Sequence, residues 1–203
     1  ENGFDDAVKS TGITGICGSG IIEVLAEMYL SGILSTDGVI DGTVVARTSR
    51  IEQDGRTFAY RVAENVVVTQ NDIRAIQLAK AALHAGFRLL MDKMELKKVD
   101  RVILAGAFGT QIDPKYAMVL GMIPDCELEN VRSAGNSAGT GARMALLNKG
   151  ARREIEAVVR DIEKIETAVE SSFQDQFVKA MAIPHKSELY EKLGAAVELP
   201  ERI

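Results

Sequence analysis

The stretch from residue 101 to residue 116, RVILAGAFGTQIDPKY, constrains the fold more than any other part of the sequence. Its apolar run at 102–104 has no polar interruption, which is typical of a strand covered on both faces in a parallel sheet flanked by helices. Gly106 and Gly109 follow, so the backbone is free to turn sharply and to approach a ligand closely. The stretch therefore predicts a strand that ends in a glycine turn.

A helix is predicted directly after this turn, from Asp113 to Leu120. Asp113 offers a side-chain oxygen to the free N–H groups of the first turn, and Pro114 occupies a position where its missing N–H is tolerated. Open α/β folds bind small molecules at such a carboxyl edge of the sheet. An ordinary βα turn remains the alternative, because the stretch lacks the GxGxxG spacing and a Walker lysine.

A second glycine-rich segment, TGITGICGSGIIEVLAEMYLSGIL, occupies residues 11–34. The loop around Gly18, Ser19 and Gly20 feeds a predicted helix, so its N–H groups and the helix dipole suit an anion such as phosphate. Tight helix packing explains the glycines equally well. Cys17 is expected to be a small buried filler rather than a reactive thiol.

Residues 35–68 consist of short β-prone pieces separated by turn residues, which predicts a small β-rich part with antiparallel strands. Asp54 and Gly55 give its clearest hairpin signal. Asp41, Gly42 and Thr43 resemble a phosphate loop, but two closely spaced Asp-Gly turns are also what a hairpin would use.

A long helix is predicted from Thr69, which forms an approximate capping box with Asp72. The residues expected to form its buried stripe are Ile73, Ile76, Leu83, Phe87, Leu90 and Met94. Gln70 and Arg74 in its first turn are candidates for contact with a ligand, although helix starts are polar by default. His84 is expected to be a packing histidine.

A second strand-turn-helix unit is predicted in VRSAGNSAGTGARMALLN, residues 131–148, with a cap at Asn136 or Ser137. Its glycine turn and the first one should lie on the same edge of one parallel sheet, where they could flank a nucleotide. Close helix packing is the alternative. A charged amphipathic helix is predicted for 151–169, and a shorter helix for 171–183.

Composition excludes several functional classes. The net charge of -5 argues against nucleic acid or an anionic membrane as the main partner, and no apolar run is long enough to span a membrane. The 2 cysteines lie too far apart in sequence to indicate a metal or cluster site. We therefore expect a soluble, cytoplasmic protein. The start without methionine suggests a piece of a longer protein, with N-terminal processing as the alternative.

Five blocks, taken in order, resemble the C-terminal region of corrinoid-protein reductive activators. They are TGICGSGIIEVLAEM, VVVTQNDIRAIQLAKAALHAG, VDRVILAGAFGTQIDPKYAMVLGMIP, AGNSAGTGARMAL and FQDQFVKAMAIPH. Those activators belong to the superfamily of acetate and sugar kinases, heat-shock chaperone ATPases and actin. The resemblance implies an α/β, ribonuclease-H-like half of an actin-like ATPase domain over residues 1–203, with a mixed sheet flanked by helices and a small β-rich insertion at 35–68.

The resemblance also implies a nucleotide site. Gly106, Ala107, Phe108 and Gly109 correspond to the adenosine-side loop, although the usual form has glycine where this chain has Ala107. Residues 15–20, which include Gly18, Ser19 and Gly20, are similar to a glycine loop near the phosphates in the related dehydratase activators.

In such activators an electron from an upstream [2Fe-2S] cluster reduces an inactive Co(II) corrinoid protein to Co(I) with the help of ATP. The implied cofactors of the full protein are ATP or ADP with Mg²⁺. The implied partner is a corrinoid protein that serves methyl transfer, and a homodimer is left open. No nucleophile, general base or metal ligand stands out in the sequence, so catalytic residues stay unassigned and weak or absent ATPase activity is predicted for this chain alone. The alternatives are a sugar or acyl kinase, a dehydratase activator and a non-catalytic docking module.

Overall fold

The computed structural model of the protein describes residues 9–167 and 169–201. Its strands are β1 (Ile51–Asp54), β2 (Thr57–Ala63), β3 (Val66–Val68), β4 (Val102–Leu104) and β5 (Val131–Ser133). Its α-helices are α1 (Gly18–Leu30), α2 (Gln70–Lys93), α3 (Pro114–Val119), α4 (Ser137–Leu147), α5 (Lys149–Asp161), α6 (Phe173–Ala180) and α7 (Glu191–Ala196). Among the described residues, no helix combines the length and apolar character needed to cross a membrane.

The predicted β-rich part forms an antiparallel sheet in the order β1-β2-β3. The Asp54–Gly55 hairpin is confirmed, because Asp54 pairs with Thr57 and Gly55 has a positive φ of 59°. The strands begin later than the sequence suggested. Residues Gly42–Arg47 form a 3₁₀ helix instead, since the side chain of Asp41 accepts hydrogen bonds from both the N–H and the hydroxyl of Thr43.

A second sheet consists of the parallel pair β4 and β5, in which Val102 lies opposite Val131 and Leu104 opposite Ser133. The prediction that β4 is covered on both faces was wrong. Ile103 is 54% exposed, because no described element packs over its face of the pair. Apolar composition alone therefore did not reveal that one face of this strand is open.

Helix α2 begins as predicted. Thr69 accepts a hydrogen bond from the Asp72 N–H, and the Asp72 carboxylate accepts one from the Thr69 N–H in return, which completes the capping box. The predicted buried stripe was wrong toward the C-terminal end, where Leu83 and Leu90 are 50% and 52% exposed. The buried face instead carries polar side chains that bind backbone carbonyls of other segments.

The core lies where α1 packs against α3. Leu25 and Ala26 of α1 and Met118 and Val119 of α3 have no exposed surface. Burying one large apolar side chain stabilises a fold by about 1.5–3 kcal/mol, so this contact holds the two helices firmly together. Because α1 and α3 each follow a glycine-rich segment, their packing also fixes where those segments lie.

The C-terminal region departs from the prediction in one respect. The expected helix over 151–169 is α5, which spans Lys149–Asp161 and does not continue through the second half of that range. Its apolar residues Ile155 and Val158 remain 41% and 56% exposed, so this stripe is not buried against the described part of the chain. Helix α6 is present as predicted and packs along α2.

Candidate functional site

The two glycine turns after β4 and β5, here called the β4 corner (residues 105–109) and the β5 corner (134–136), lie side by side. The parallel register ends both strands at the same level, with Leu104 opposite Ser133. The Gly106 N–H donates to the Gly135 carbonyl at 2.8 Å, and the Ala134 N–H donates to the Leu104 carbonyl at 2.9 Å. The predicted arrangement of both corners at one sheet edge is therefore what the structure shows.

Both corners depend on glycine geometry. Gly106 has a φ of 113° and Gly135 a φ of 66°, values that side chains with a Cβ rarely adopt. A Cβ added at either residue would meet nothing within 4 Å. Space for a ligand therefore adjoins the backbone of both corners.

The start of α1 contacts the ring of Phe108 in the β4 corner. A Cβ built on Gly18 would lie 2.8 Å from Cε2 of Phe108, so a side chain at residue 18 would have to displace this ring. Phe108 lies in the β4 corner, begins the short 3₁₀ turn Phe108–Thr110 and is 54% exposed. Gly18, Ser19 and Gly20, which were predicted to lie in a loop, form the first turn of α1 instead, and this turn is a neighbour of the β4 corner although the two are far apart in sequence.

Two helix N-termini adjoin these corners. The Cys17 Sγ of the α1 cap accepts from the Gly20 N–H at 3.4 Å, and Asn136 caps α4 by accepting from the Gly139 N–H at 3.0 Å. Each helix start carries a partial positive charge and N–H groups without an intrahelical acceptor. Each of these helix starts therefore suits an anionic ligand, of which phosphate is the common biological example.

A polar contact holds α1 and α3 in register beneath the corners. Tyr116 donates to the Glu27 carboxylate at 2.6 Å, and the Lys115 ammonium lies 3.4 Å from the same oxygen. The hydrogen bond from Tyr116, assisted by Lys115, lowers the pKa of Glu27. This contact therefore links α1, which begins at Gly18, to α3, which follows the β4 corner.

Cys17 is not the buried filler that was expected, because its side chain is exposed. A hydrogen bond with Ser19, followed by the Gly20 N–H, lowers the pKa of its thiol. Cys126 is the opposite case, since it is buried and burial raises the pKa of its thiol. The thiol next to the corners is thus the more acidic of the two.

Gln70 and Arg74 are not joined to the corners by any contact within the described residues. The Gln70 amide holds the loop after α1 by donating to the Gly38 carbonyl at 2.6 Å and accepting from the Ile40 N–H at 3.1 Å. This side chain is therefore committed to a structural contact, and a ligand role for Gln70 or Arg74 stays a prediction.

The β5 corner was identified in the sequence as a glycine turn, but Gly135 and Asn136 were not among the candidate nucleotide-binding residues. Their signal is the Ala-Gly-Asn-Ser run after an apolar strand, which combines a positive-φ glycine with a helix cap. The contact between Gly18 and Phe108 gave no sequence signal, because it depends on how α1 packs against α3.

The chain is similar to known proteins in both sequence and fold. Residues 4–194 match a family model described as the C-terminal domain of RACo, the ASKHA domain. The chain is 31% identical over 186 residues to the corrinoid activation enzyme RamQ of Eubacterium limosum, covering 84% of this chain and 31% of RamQ. A solved structure titled reductive activator for corrinoid, iron-sulfur protein matches with a TM-score of 0.75 and 36% identity, over 85% of this chain and 29% of that one.

The chain thus spans about a third of the length of each of these relatives. The matches confirm the predicted α/β, actin-like fold class and the resemblance to corrinoid-protein reductive activators. With the family match extending over nearly all of its residues, the chain belongs to the family of C-terminal ASKHA domains of RACo-type reductive activators.

Proposed function

We propose that this chain is the nucleotide-binding C-terminal part of an ATP-dependent activator that returns Co(II) corrinoid proteins to Co(I). The observation that carries the proposal is the contact of Gly18, at the start of α1, with Phe108 of the β4 corner, together with the Gly106–Gly135 hydrogen bond that joins this corner to the β5 corner. This arrangement offers backbone N–H groups and two helix N-termini to one anionic ligand. The names of two relatives, a corrinoid activation enzyme and a reductive activator, supply the reaction class.

Within this proposal, the first turn of α1 (Gly18, Ser19 and Gly20) faces the phosphates, and Gly106, Ala107, Phe108 and Gly109 lie on the adenosine side. The residues fit a nucleotide, because the open space beside Gly106 and Gly135 adjoins the exposed Phe108 ring. An exposed aromatic ring beside a polar backbone site provides a surface for an adenine base. ATP supplies binding energy and hydrolysable phosphoryl groups when it is bound, and any Mg²⁺ would accompany those phosphates.

The redox centre belongs to another part of the activator. A [2Fe-2S] cluster takes four ligands, usually cysteines, whereas this chain has 2 cysteines, one exposed and one buried. We therefore assign the cluster to an upstream domain and give this chain the role of coupling nucleotide state to conformation. Such coupling requires that ATP binds one conformation more tightly than the other.

The remaining features follow from this assignment. The proposed partner is a corrinoid protein, and the proposed compartment is the cytoplasm. Size-exclusion chromatography of the protein would test for a homodimer. We infer that the chain alone has weak or no ATPase activity, because the phosphate-binding groups of the other half are missing from it. The kinase alternative would require ATP-dependent phosphorylation of a sugar or a carboxylic acid by the full-length protein.

The direct test is reduction of a Co(II) corrinoid protein by the full-length activator with a chemical electron donor, followed by the absorbance of Co(I). ATP should accelerate Co(I) formation, and Gly106→Val should abolish the acceleration because valine cannot adopt the φ of Gly106 without strain. Gly86→Ala, in the middle of α2, is the matched control and should retain full activity. Equal Co(I) formation with and without ATP, or phosphorylation of a small substrate instead, would refute the proposal.

A further inference from the structure

Helix α4 exposes a largely apolar surface. Its sequence, SAGTGARMALL, contains one charged residue, Arg143, and none of its 11 residues is buried. Leu146 and Leu147 at its end are 78% and 83% exposed, and Met144 is 53% exposed. A helix that is apolar on most of its sides is normally buried. Helix α4 therefore has the composition of a helix that other polypeptide covers.

Helix α5 presents a second apolar surface. Ile155, Val158 and Val159 recur at helical spacing, and Ile162 follows one turn later; these four side chains are between 41% and 64% exposed. Of the residues in α5, only Ala151 is buried. An amphipathic helix normally packs its apolar stripe against the rest of the protein, whereas this stripe lies open in the part of the chain that the structure describes.

The two helices form one unit. The Asn148 N–H donates to the Met144 carbonyl at the end of α4, and the Asn148 Oδ1 accepts from the N–H groups of Gly150 and Ala151 at the start of α5. The two helices also pack against each other. Their exposed large apolar side chains are here called the α4–α5 surface: Met144, Leu146, Leu147, Ile155, Val158, Val159 and Ile162.

The composition of the α4–α5 surface favours a permanent cover over a transient partner. Soluble proteins seldom leave large apolar patches in water, and such patches mark interaction sites. Interfaces between parts that never separate are more apolar than those of transient complexes. A partner that dissociates, such as the corrinoid protein proposed above, would return all of these side chains to water after each encounter. A segment of the same polypeptide would not.

The family match identifies such a segment. The chain corresponds to 31% of RamQ and 29% of the solved reductive activator, and the matched family is described as a C-terminal domain. Most of each relative therefore lies N-terminal to the matched region. A covalently linked segment binds at a high effective concentration, so even a modest apolar contact would be populated continuously.

We propose that the α4–α5 surface is the docking surface for the N-terminal part of the same activator, which covers it with apolar side chains of its own. Because α4 begins at Ser137, directly after the β5 corner, the docked segment would stand beside that corner. The proposal rests on the family membership and on the exposure of these two helices. It holds whether or not the glycine corners bind ATP.

Photo-crosslinking of the full-length activator tests the contact directly. Leu147→benzoylphenylalanine places an apolar photoreactive group at the most exposed residue of the surface. Illumination should give a product of monomer mass, in which mass spectrometry finds residue 147 joined to a peptide from the N-terminal part. The same group at Leu189, which is 68% exposed but lies outside the surface, is the matched control and should not crosslink to that peptide.

A charged substitution gives a second measurement. Leu147→Lys should lower the Tm of the full-length activator by about 4 °C or more, because the ammonium group would be placed against apolar side chains. The same substitution should shift the Tm of the 203-residue chain by no more than about 1 °C, since residue 147 lies at its surface. Leu189→Lys should leave both Tm values unchanged. The apolar crosslinker keeps the test valid even where the lysine variant does not fold.

Three outcomes would overturn the proposal. A crosslinked product of twice the monomer mass would assign the surface to a second copy of the chain. A crosslink to the corrinoid protein alone would make it the surface for that partner. A full-length activator without any crosslink from residue 147, and with the same small change in Tm as the 203-residue chain, would show that the surface stays in water.

Discussion

Replacing Gly106 with alanine tests the β4 corner with the smallest added group. At a φ of 113° an alanine is strained by about 1–3 kcal/mol, because this region is almost restricted to glycine. No steric clash adds to this strain, because the new Cβ would meet nothing within 4 Å. Alanine also lowers the conformational entropy of the unfolded chain relative to glycine, which stabilises the folded state by about 0.4–1 kcal/mol. The midpoints of these two ranges, about 2 and about 0.7 kcal/mol, leave a net destabilisation of about 1.3 kcal/mol, or about 3–5 °C in Tm for a domain of this size.

The assay combines urea unfolding of the chain with ATP binding by calorimetry on the full-length protein. Relief of the strain by movement of the corner would break the Gly106–Gly135 hydrogen bond, so ATP affinity should fall by about tenfold for each 1.4 kcal/mol lost. Gly86→Ala is the matched control, because its Cβ also meets nothing within 4 Å but lies in a helix interior. It should stabilise the chain by about 0.5–1 kcal/mol. Unchanged stability and ATP affinity in Gly106→Ala would refute the reasoning.

Three further predictions concern other parts of the molecule. Asn136→Ala removes the cap of α4 and should destabilise the chain by about 0.5–2 kcal/mol in urea unfolding, whereas Asn136→Asp should retain most of that stability. Iodoacetamide should alkylate Cys17 first and Cys126 only on unfolding, because Cys17 is exposed with a lowered pKa and Cys126 is buried with a raised pKa. Mass spectrometry after timed quenching gives the order of alkylation, and alkylation of Cys126 before Cys17 would contradict the prediction. Burial lowers the pKa of Lys80 from 10.5 to about 7. Between these two pH values the unfolded chain holds a proton on Lys80 that the folded chain has lost. The free energy of unfolding should therefore rise with pH over this range. Lys80→Met should remove that rise, and parallel pH slopes for the two proteins would contradict it.

Local sequence signals predicted the glycine turns and the helix caps well, because these features depend on backbone chemistry. Gly106 and Asn136 were identified as turn and cap, because positive φ and N-terminal capping depend on a few neighbouring residues. The shared edge of the two corners also followed, since parallel strands bring their carboxyl ends together.

Tertiary contacts were the source of the errors. The stripe on α2 was predicted from apolar spacing, whereas the structure buries Lys80 and His84, each 2% exposed or less, against carbonyls and a carboxylate supplied by distant segments. The sequence likewise placed Cys17 inside the protein, although its position as a helix cap leaves it at the surface. Whether such a side chain is buried depends on contacts with residues that are distant in sequence. The spacing of residues along one helix does not reveal these contacts.

The most direct measurement of the central claim is hydrogen–deuterium exchange of the full-length protein with and without ATP, followed by mass spectrometry. We expect ATP to protect peptides that contain residues 18–20, 106–109 and 134–136, because the nucleotide would cover their N–H groups. Saturating ATP that protects other segments and leaves these three unchanged would contradict the claim that the glycine corners form the nucleotide site.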